Sequence, residues 1–185
     1  DWSKVAAALG KSGSAMPGGV YRVGMPRTDL HVTLDGVDLK AGFALGSWLA
    51  FRPEGDSSMV MGDLVLTEDQ VNPVMSAALD GGLEVTALHN HFFWDTPKIM
   101  FMHVGGMGDE KTLAGAIGKV FARLKETAGG KGEVFHADID PAKTTLAPAK
   151  IEAVLGGYKG ELKDGVYKVV IGRTTSSTEA PRAAS

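Results

Sequence analysis

Apolar residues recur along this chain with two periods, and the changes from one to the other mark out its elements. Trp2, Val5 and Leu9 stand at i, i+3 and i+7 and Gly10 follows, which predicts a short amphipathic helix closed by a glycine. The stretch 10–19, rich in glycine and serine, reads as a loop, with strands expected over 20–23 and 30–34 on either side of a Pro26 turn. Asp35-Gly36 predicts a tight turn, and the apolar runs 43–51 and 59–66 predict two strands joined by a polar loop over 52–58. Thr67 and Gln70 form a capping-box pattern ahead of Val71, Val74, Met75, Ala78 and Leu79, which share one helical face. Pro73 is comfortable only in a first turn, so Asn72 stands beside Thr67 as a second candidate N-cap. After Gly81-Gly82, the runs 83–93 and 98–104 read as a hairpin or close pair of strands linked through Trp94-Asp95-Thr96-Pro97. Gly105-Gly106-Met107-Gly108 then reads as a tight turn into the clearest helix, 110–125, where Leu113, Ile117, Val120 and Leu124 are spaced 4, 3 and 4. A strand near Val134, a helix over 151–155, a strand over 167–171 and an aperiodic tail over 174–185 complete the pattern.

Short strands interrupted by helices at irregular intervals predict an α+β fold, a mainly antiparallel sheet with packed helices in a single domain. The 185 residues suit one hydrophobic core. Nineteen Lys and Arg against 22 Asp and Glu leave a net charge of −3, the wrong sign for holding a polyanion, so nucleic acid is not an expected partner. The chain has no cysteine, which removes disulfides, thiolate metal sites and cysteine nucleophiles together. No apolar run reaches the roughly 18 residues of a transmembrane helix. The chain opens at Asp1-Trp2-Ser3, and a processed or trimmed chain is expected.

Metal chemistry must therefore rest on histidine and carboxylate. In an extended strand His89 and His91 project to the same side, two imidazoles within reach of one ion. His103 on the following run meets them if the two strands pair, and Asp95 in the connection offers an oxygen ligand. The expected metal set is His89, His91, His103 and Asp95, and neutral imidazole suits Zn or Cu. The spacing of His89, His91 and Asp95 is similar to the first metal motif of cupins, although a cupin needs more strands and a longer interval to its last histidine. Met100, Met102 and Met107 around His103 keep Cu(I) open as an alternative to core-filling methionines. His31 lies farther off, and His136, Asp138 and Asp140 alternate on one strand face, which could ligate a second ion but reads better as a solvated strand end. Asp109 and Glu110 behind the glycine run would repel a phosphate, and no serine sits in a nucleophile elbow.

The chain also echoes itself. Gly19-Val20-Tyr21-Arg22-Val23-Gly24-Met25-Pro26-Arg27-Thr28 matches Gly165-Val166-Tyr167-Lys168-Val169-Val170-Ile171-Gly172-Arg173-Thr174 at six of ten positions, with an offset of 146. The expected organisation is a domain over 1–164, the entry strand of a truncated second repeat over 165–173, and a flexible tail over 174–185. Such a strand must pair in the sheet or with a partner, since a bare edge invites association into a homo-oligomer.

The runs 62–74 (GDLVLTEDQVNPV), 86–91 (TALHNH) and 97–103 (PKIMFMH) resemble the LppY/LpqO family, with the elements in family order. The resemblance spans about Val20 to Leu124. It implies an exported bacterial protein, periplasmic or secreted with its signal peptide removed, often carrying two tandem copies of this unit, and an invariant-looking His-Asn-His region, with no established reaction to carry over. It also implies that Asp95 replaces the family's usual Glu before the proline, which shortens the carboxylate's reach by one methylene. Glu68 matches the family's acidic element ahead of the helix and is the candidate general base or supporting carboxylate. Two functions follow: an exported Zn- or Cu-binding protein, or a metal-dependent hydrolase or oxidoreductase that uses the same site with a carboxylate base.

Overall fold

The computed structural model describes residues 2–132 and 145–172. They fall into two compact units, Asp1–Phe135 and His136–Ser185. The strand expected near Val134, the His136, Asp138 and Asp140 alternation and the tail over 174–185 lie outside the described residues.

The first unit runs α1 (Trp2–Leu9), β1 (Ser14–Met16), a 3-10 turn (Pro17–Gly19), β2 (Val20–Pro26), β3 (Val32–Leu34), β4 (Val37–Leu39), α2 (Ala41–Ala44), β5 (Gly46–Glu54) and β6 (Ser57–Thr67). It continues through α3 (Glu68–Asp80), β7 (Glu84–His89), β8 (Asp95–Thr96), β9 (Ile99–Gly108) and α4 (Glu110–Glu126). Six strands form one antiparallel sheet in the order β1-β2-β5-β6-β9-β7, and β4-β3-β8 form a small second sheet. This is the expected α+β class with a mainly antiparallel sheet.

The long helices form where the sequence supplies both a period and its ends. In α4, Asp109 caps the N-terminus by accepting from the Lys111 and Thr112 N–H groups at 3.0 Å, Glu110 faces the positive end, and Arg123 and Lys125 face the negative one. Leu113, Ile117, Val120 and Leu124 are buried, as their 4-3-4 spacing requires. For α3 the cap is Thr67, not Asn72, with the Thr67 N–H donating to Gln70 Oε1 at 3.2 Å. Gln70 is fully buried and also donates to the Leu124 carbonyl and Thr127 Oγ1 while accepting from Arg27, so one amide joins β2's exit, α3 and the end of α4.

Both helices, with α1, cover a single face of the large sheet. Val5, Val74, Ile117 and Val120 pack there against Val23, Leu49, Val60, Leu64 and Met102, all inaccessible to solvent. Met102 therefore serves the core, which removes it from any copper site. Residues of the opposite strand parity face away from the helices. Within the first unit and among the described residues, one end of that outer face is covered by a small cluster of Val32, Leu45, Val65, Ile99 and Phe101.

Several expected boundaries move. The run 43–51 divides into α2 and β5, because an unbroken apolar run carries no period by which to tell helix from strand. The polar stretch 52–58 mostly continues β5 and β6 and leaves a two-residue connection at Gly55-Asp56, where Gly55 takes φ +61°. The glycine run 105–108 is no turn. It extends β9 to Gly108, opposite Ser58, and a side chain at Gly106 would crowd Leu83 and Leu113, so glycine there lets α4 lie close on the strand. The run 83–93 is strand only as far as His89.

The second unit consists of α5 (Pro148–Val154), β10 (Gly160–Lys163) and β11 (Val166–Val169), with β11 pairing antiparallel to β10. The strand expected over 167–171 thus finds its partner in the residues just before it. Taken by themselves, these elements repeat the local geometry of α1, β1 and β2. The Tyr21 hydroxyl accepts from the Gly13 N–H at 2.6 Å, and the Tyr167 hydroxyl accepts from the Gly160 N–H at 2.9 Å. A Cβ on Gly13 would stand 2.4 Å from the Arg22 carbonyl oxygen, and one on Gly160 would stand 2.5 Å from that of Lys168, its counterpart at the 146-residue offset. The echo is therefore longer in structure than in sequence, since helix and hairpin both recur.

Candidate functional site

Antiparallel pairing of β5, β6, β9 and β7 lays a row of side chains across the outer face. Trp48 is opposite Asp63, Asp63 opposite His103, and His103 opposite Ala87, while Phe101 is opposite His89. Directly paired residues share a face, so β6 and β9 deliver a carboxylate and an imidazole side by side, and the last residue of β7 brings a second imidazole. His89 Nε2 and His103 Nε2 are 3.0 Å apart. That separation suits a hydrogen bond between two neutral rings. It is also close to the roughly 3.3 Å expected between two nitrogens on one tetrahedral zinc with Zn–N bonds of about 2.0–2.1 Å.

His91 lies past the end of β7 and is oriented by stacking, not by strand geometry. Its ring lies 3.5 Å from that of Phe101, 5° from parallel, and 5.2 Å from His89. Phe101 is itself buried, so it is a fixed platform. Burial holds the His91 imidazole below its ordinary value, with the neighbouring His89 and His103 imidazoles acting in the same direction and Asp63 opposing them. The neutral ring this favours is the metal-binding form.

Asp63 is the residue that sequence reasoning missed. Its Oδ1 is buried without a hydrogen-bond partner and lies 3.9 Å from His103 Nε2. Leaving a carboxylate oxygen buried and unpaired costs about 1–3 kcal/mol, so the position calls for a positive partner. The available signal was a lone Asp inside the apolar run 59–66, since Asp is depleted from strand interiors.

The other expected ligands sit elsewhere. Asp95 is buried at the start of β8, where Oδ1 accepts from Lys98 Nζ at 2.5 Å and Oδ2 from the Ile99 N–H at 2.8 Å. Both oxygens are committed to holding the connection between β7 and β9. Glu68 is exposed in the first turn of α3, and His31 is exposed between β2 and β3. Among the described residues no three His, Asp or Glu side chains already surround a common point as ligands. The arrangement is a His89–His103 pair flanked by His91 and Asp63. The orphaned Asp63 oxygen and the nitrogen-rich donor set fit a divalent cation of the Zn or Cu type.

Beside these residues the outer face opens into a cleft of about 380 Å³ that runs from Arg22 past Trp48 and Phe43 to Asp63 and His91. The Arg22 guanidinium lies over the Trp48 ring at 5.1 Å from its centroid. Among the described residues no helix is long and apolar enough to cross a membrane.

Comparison with curated proteins and with solved structures returns no match to either. A family model does match, over residues 3–123, a span that runs from α1 into α4 and contains Arg22, Trp48, Asp63, His89, His91, Phe101 and His103. The chain belongs to the family described as Domain of Unknown Function (DUF1259).

Proposed function

We propose that this protein binds a divalent metal ion, Zn or Cu, on the outer face of its sheet through His89, His103 and His91, with Asp63 as the carboxylate beside them. The observation that carries the reading is the buried, unpaired Asp63 Oδ1 next to two imidazoles whose Nε2 atoms are 3.0 Å apart. A cation supplies the positive charge that Asp63 lacks and replaces the imidazole–imidazole hydrogen bond with two stronger contacts. The resemblance to LppY/LpqO proteins supports an exported setting, periplasmic or secreted. Asp95 gives way to Asp63 in this reading, because its oxygens are engaged.

A second reading, a metal-dependent enzyme, is favoured by the adjoining cleft, which would bring a substrate to an open coordination position. Calorimetric titration of metal-free protein with Zn(II) and Cu(II) tests the shared premise. One equivalent should bind, and His103→Ala should lose that binding while its circular dichroism stays that of the wild type. Unchanged affinity in His103→Ala would overturn the assignment. Turnover of ester, phosphoester or redox substrates by the loaded protein would then favour the enzyme over the carrier.

A further inference from the structure

The cleft has a charge pattern of its own. Arg22 projects from β2 on the outer face, held over Trp48, and among the described residues no carboxylate pairs with it. An unpaired guanidinium laid on an aromatic ring at one end of a concavity is arranged for an anion. The walls between the two ends are apolar and aromatic. Trp48 forms one side, and Phe43 stands on the rim at 74% exposure, unusually bare for a phenylalanine. The floor is open because β2 carries Gly24 directly opposite Trp48, and a Cβ built on Gly24 meets nothing within 4 Å. Core-facing Gly62 differs, since its Cβ would strike Leu49 at 2.5 Å. Gly24 thus leaves space in the cleft and fills no packing need of the core.

We infer that this cleft binds a small organic monoanion, a carboxylate on an aromatic or similarly flat apolar body. Its carboxylate lies on Arg22, its body between Trp48 and Phe43, and its far end faces Asp63 and His91. The inference rests on the metal reading for what that far end meets. Three features select the class. One guanidinium suits one carboxylate. The indole face of Trp48 and the bare Phe43 ring suit a flat apolar body, which inorganic phosphate lacks. The volume of about 380 Å³ is near the lower limit of ordinary ligand sites, which suits a ligand of a single ring.

The test uses the full chain free of metal, titrated with benzoate and followed by NMR shifts of the indole N–H groups. Benzyl alcohol, benzylamine and inorganic phosphate are the controls, and metal binding is measured separately by calorimetry. Benzoate should bind about tenfold more tightly than benzyl alcohol or phosphate, and benzylamine not at all. Arg22→Gln should remove that advantage. Gly24→Val, which the extended strand accepts without strain, should block all ring-bearing ligands, and both variants should keep the wild-type metal stoichiometry and circular dichroism. Benzoate affinity no better than that of benzyl alcohol, or unchanged in Arg22→Gln and Gly24→Val, overturns the carboxylate site whatever the metal result. A wild type that takes up no metal overturns the metal reading, even if the dependence on Arg22 and Gly24 holds.

Discussion

Asp63 and His103 face each other as a directly opposed pair on β6 and β9, with the carboxylate Oδ1 3.9 Å from Nε2 and without any hydrogen bond. On the proposed metal reading, a carboxylate with one buried, unpaired oxygen in that position should weaken the empty protein and strengthen the loaded one. Asp63→Asn should leave the stability of the metal-free protein unchanged or higher, because a desolvated charge is removed, and should lower Zn(II) affinity by about 10–100-fold. Paired thermal melts and metal titrations check this. A destabilised Asp63→Asn protein with undiminished metal affinity would make the carboxylate structural.

Asp95 should behave in the opposite way, as a stabilising group with no part in binding. Burial alone would raise its carboxyl pKa, but the Lys98 ammonium and the Ile99 N–H outweigh burial and hold it below the usual carboxylate range. A folded-state value below the unfolded one of about 3.9 means that its contribution is complete above that pH and is lost as the pH falls through the lower, folded value. Asp95→Asn should therefore cost about 2 kcal/mol at neutral pH. The gap from wild type should close in strong acid, as urea denaturation at several pH values will show, with metal affinity unaltered throughout.

Gln70 carries more of the fold than its size suggests. Its amide accepts from Arg27 and the Thr67 N–H and donates to the Leu124 carbonyl and Thr127. Gln70→Ala strands each of these buried groups and should cost roughly 3 kcal/mol in chemical denaturation. A loss under about 1 kcal/mol would mean that water or a neighbouring side chain replaces the amide.

The two tyrosine–glycine locks make a matched pair of experiments. Gly13→Ala and Gly160→Ala each push a Cβ into a carbonyl oxygen, at 2.4 and 2.5 Å. The first should lower global stability by about 1–3 kcal/mol. The second should speed amide exchange across β10 and β11. Gly24→Ala, with open space around its Cβ, is the control and should stay within about 0.5 kcal/mol of wild type.

What could be read from the sequence was local. The 4-3-4 spacing in α4 and the Thr67–Gln70 box each lie within a few residues, and both are found as expected. The convergence of His89 with His103 followed from pairing two neighbouring strands. Asp63 was hidden because its relation to His103 exists only across the β6–β9 ladder, which no short-range period encodes. Asp95 looked like a ligand because it follows His91 by four residues, yet the chain leaves the large sheet after His89 and re-enters structure in the small one. His91 is brought to the site by the Phe101 ring, and stacking partners leave no mark on sequence spacing.

The large sheet also acts as a septum between two kinds of selection. Side chains of one parity along β6 and β9 sink into the helix-covered core, and between them Asp63 and His103 reach the cleft and the histidines, while Val65, Ile99 and Phe101 close one end of the same face. A saturation scan along 62–64 and 102–104 should therefore alternate residue by residue, with abundance limiting Gly62, Leu64, Met102 and Val104 and ligand uptake limiting Asp63 and His103, whereas at Val65, Ile99 and Phe101 the outer register limits abundance as well. A lineage with this architecture can exchange what it binds through substitutions on one register while the other, which carries the fold, stays as it is.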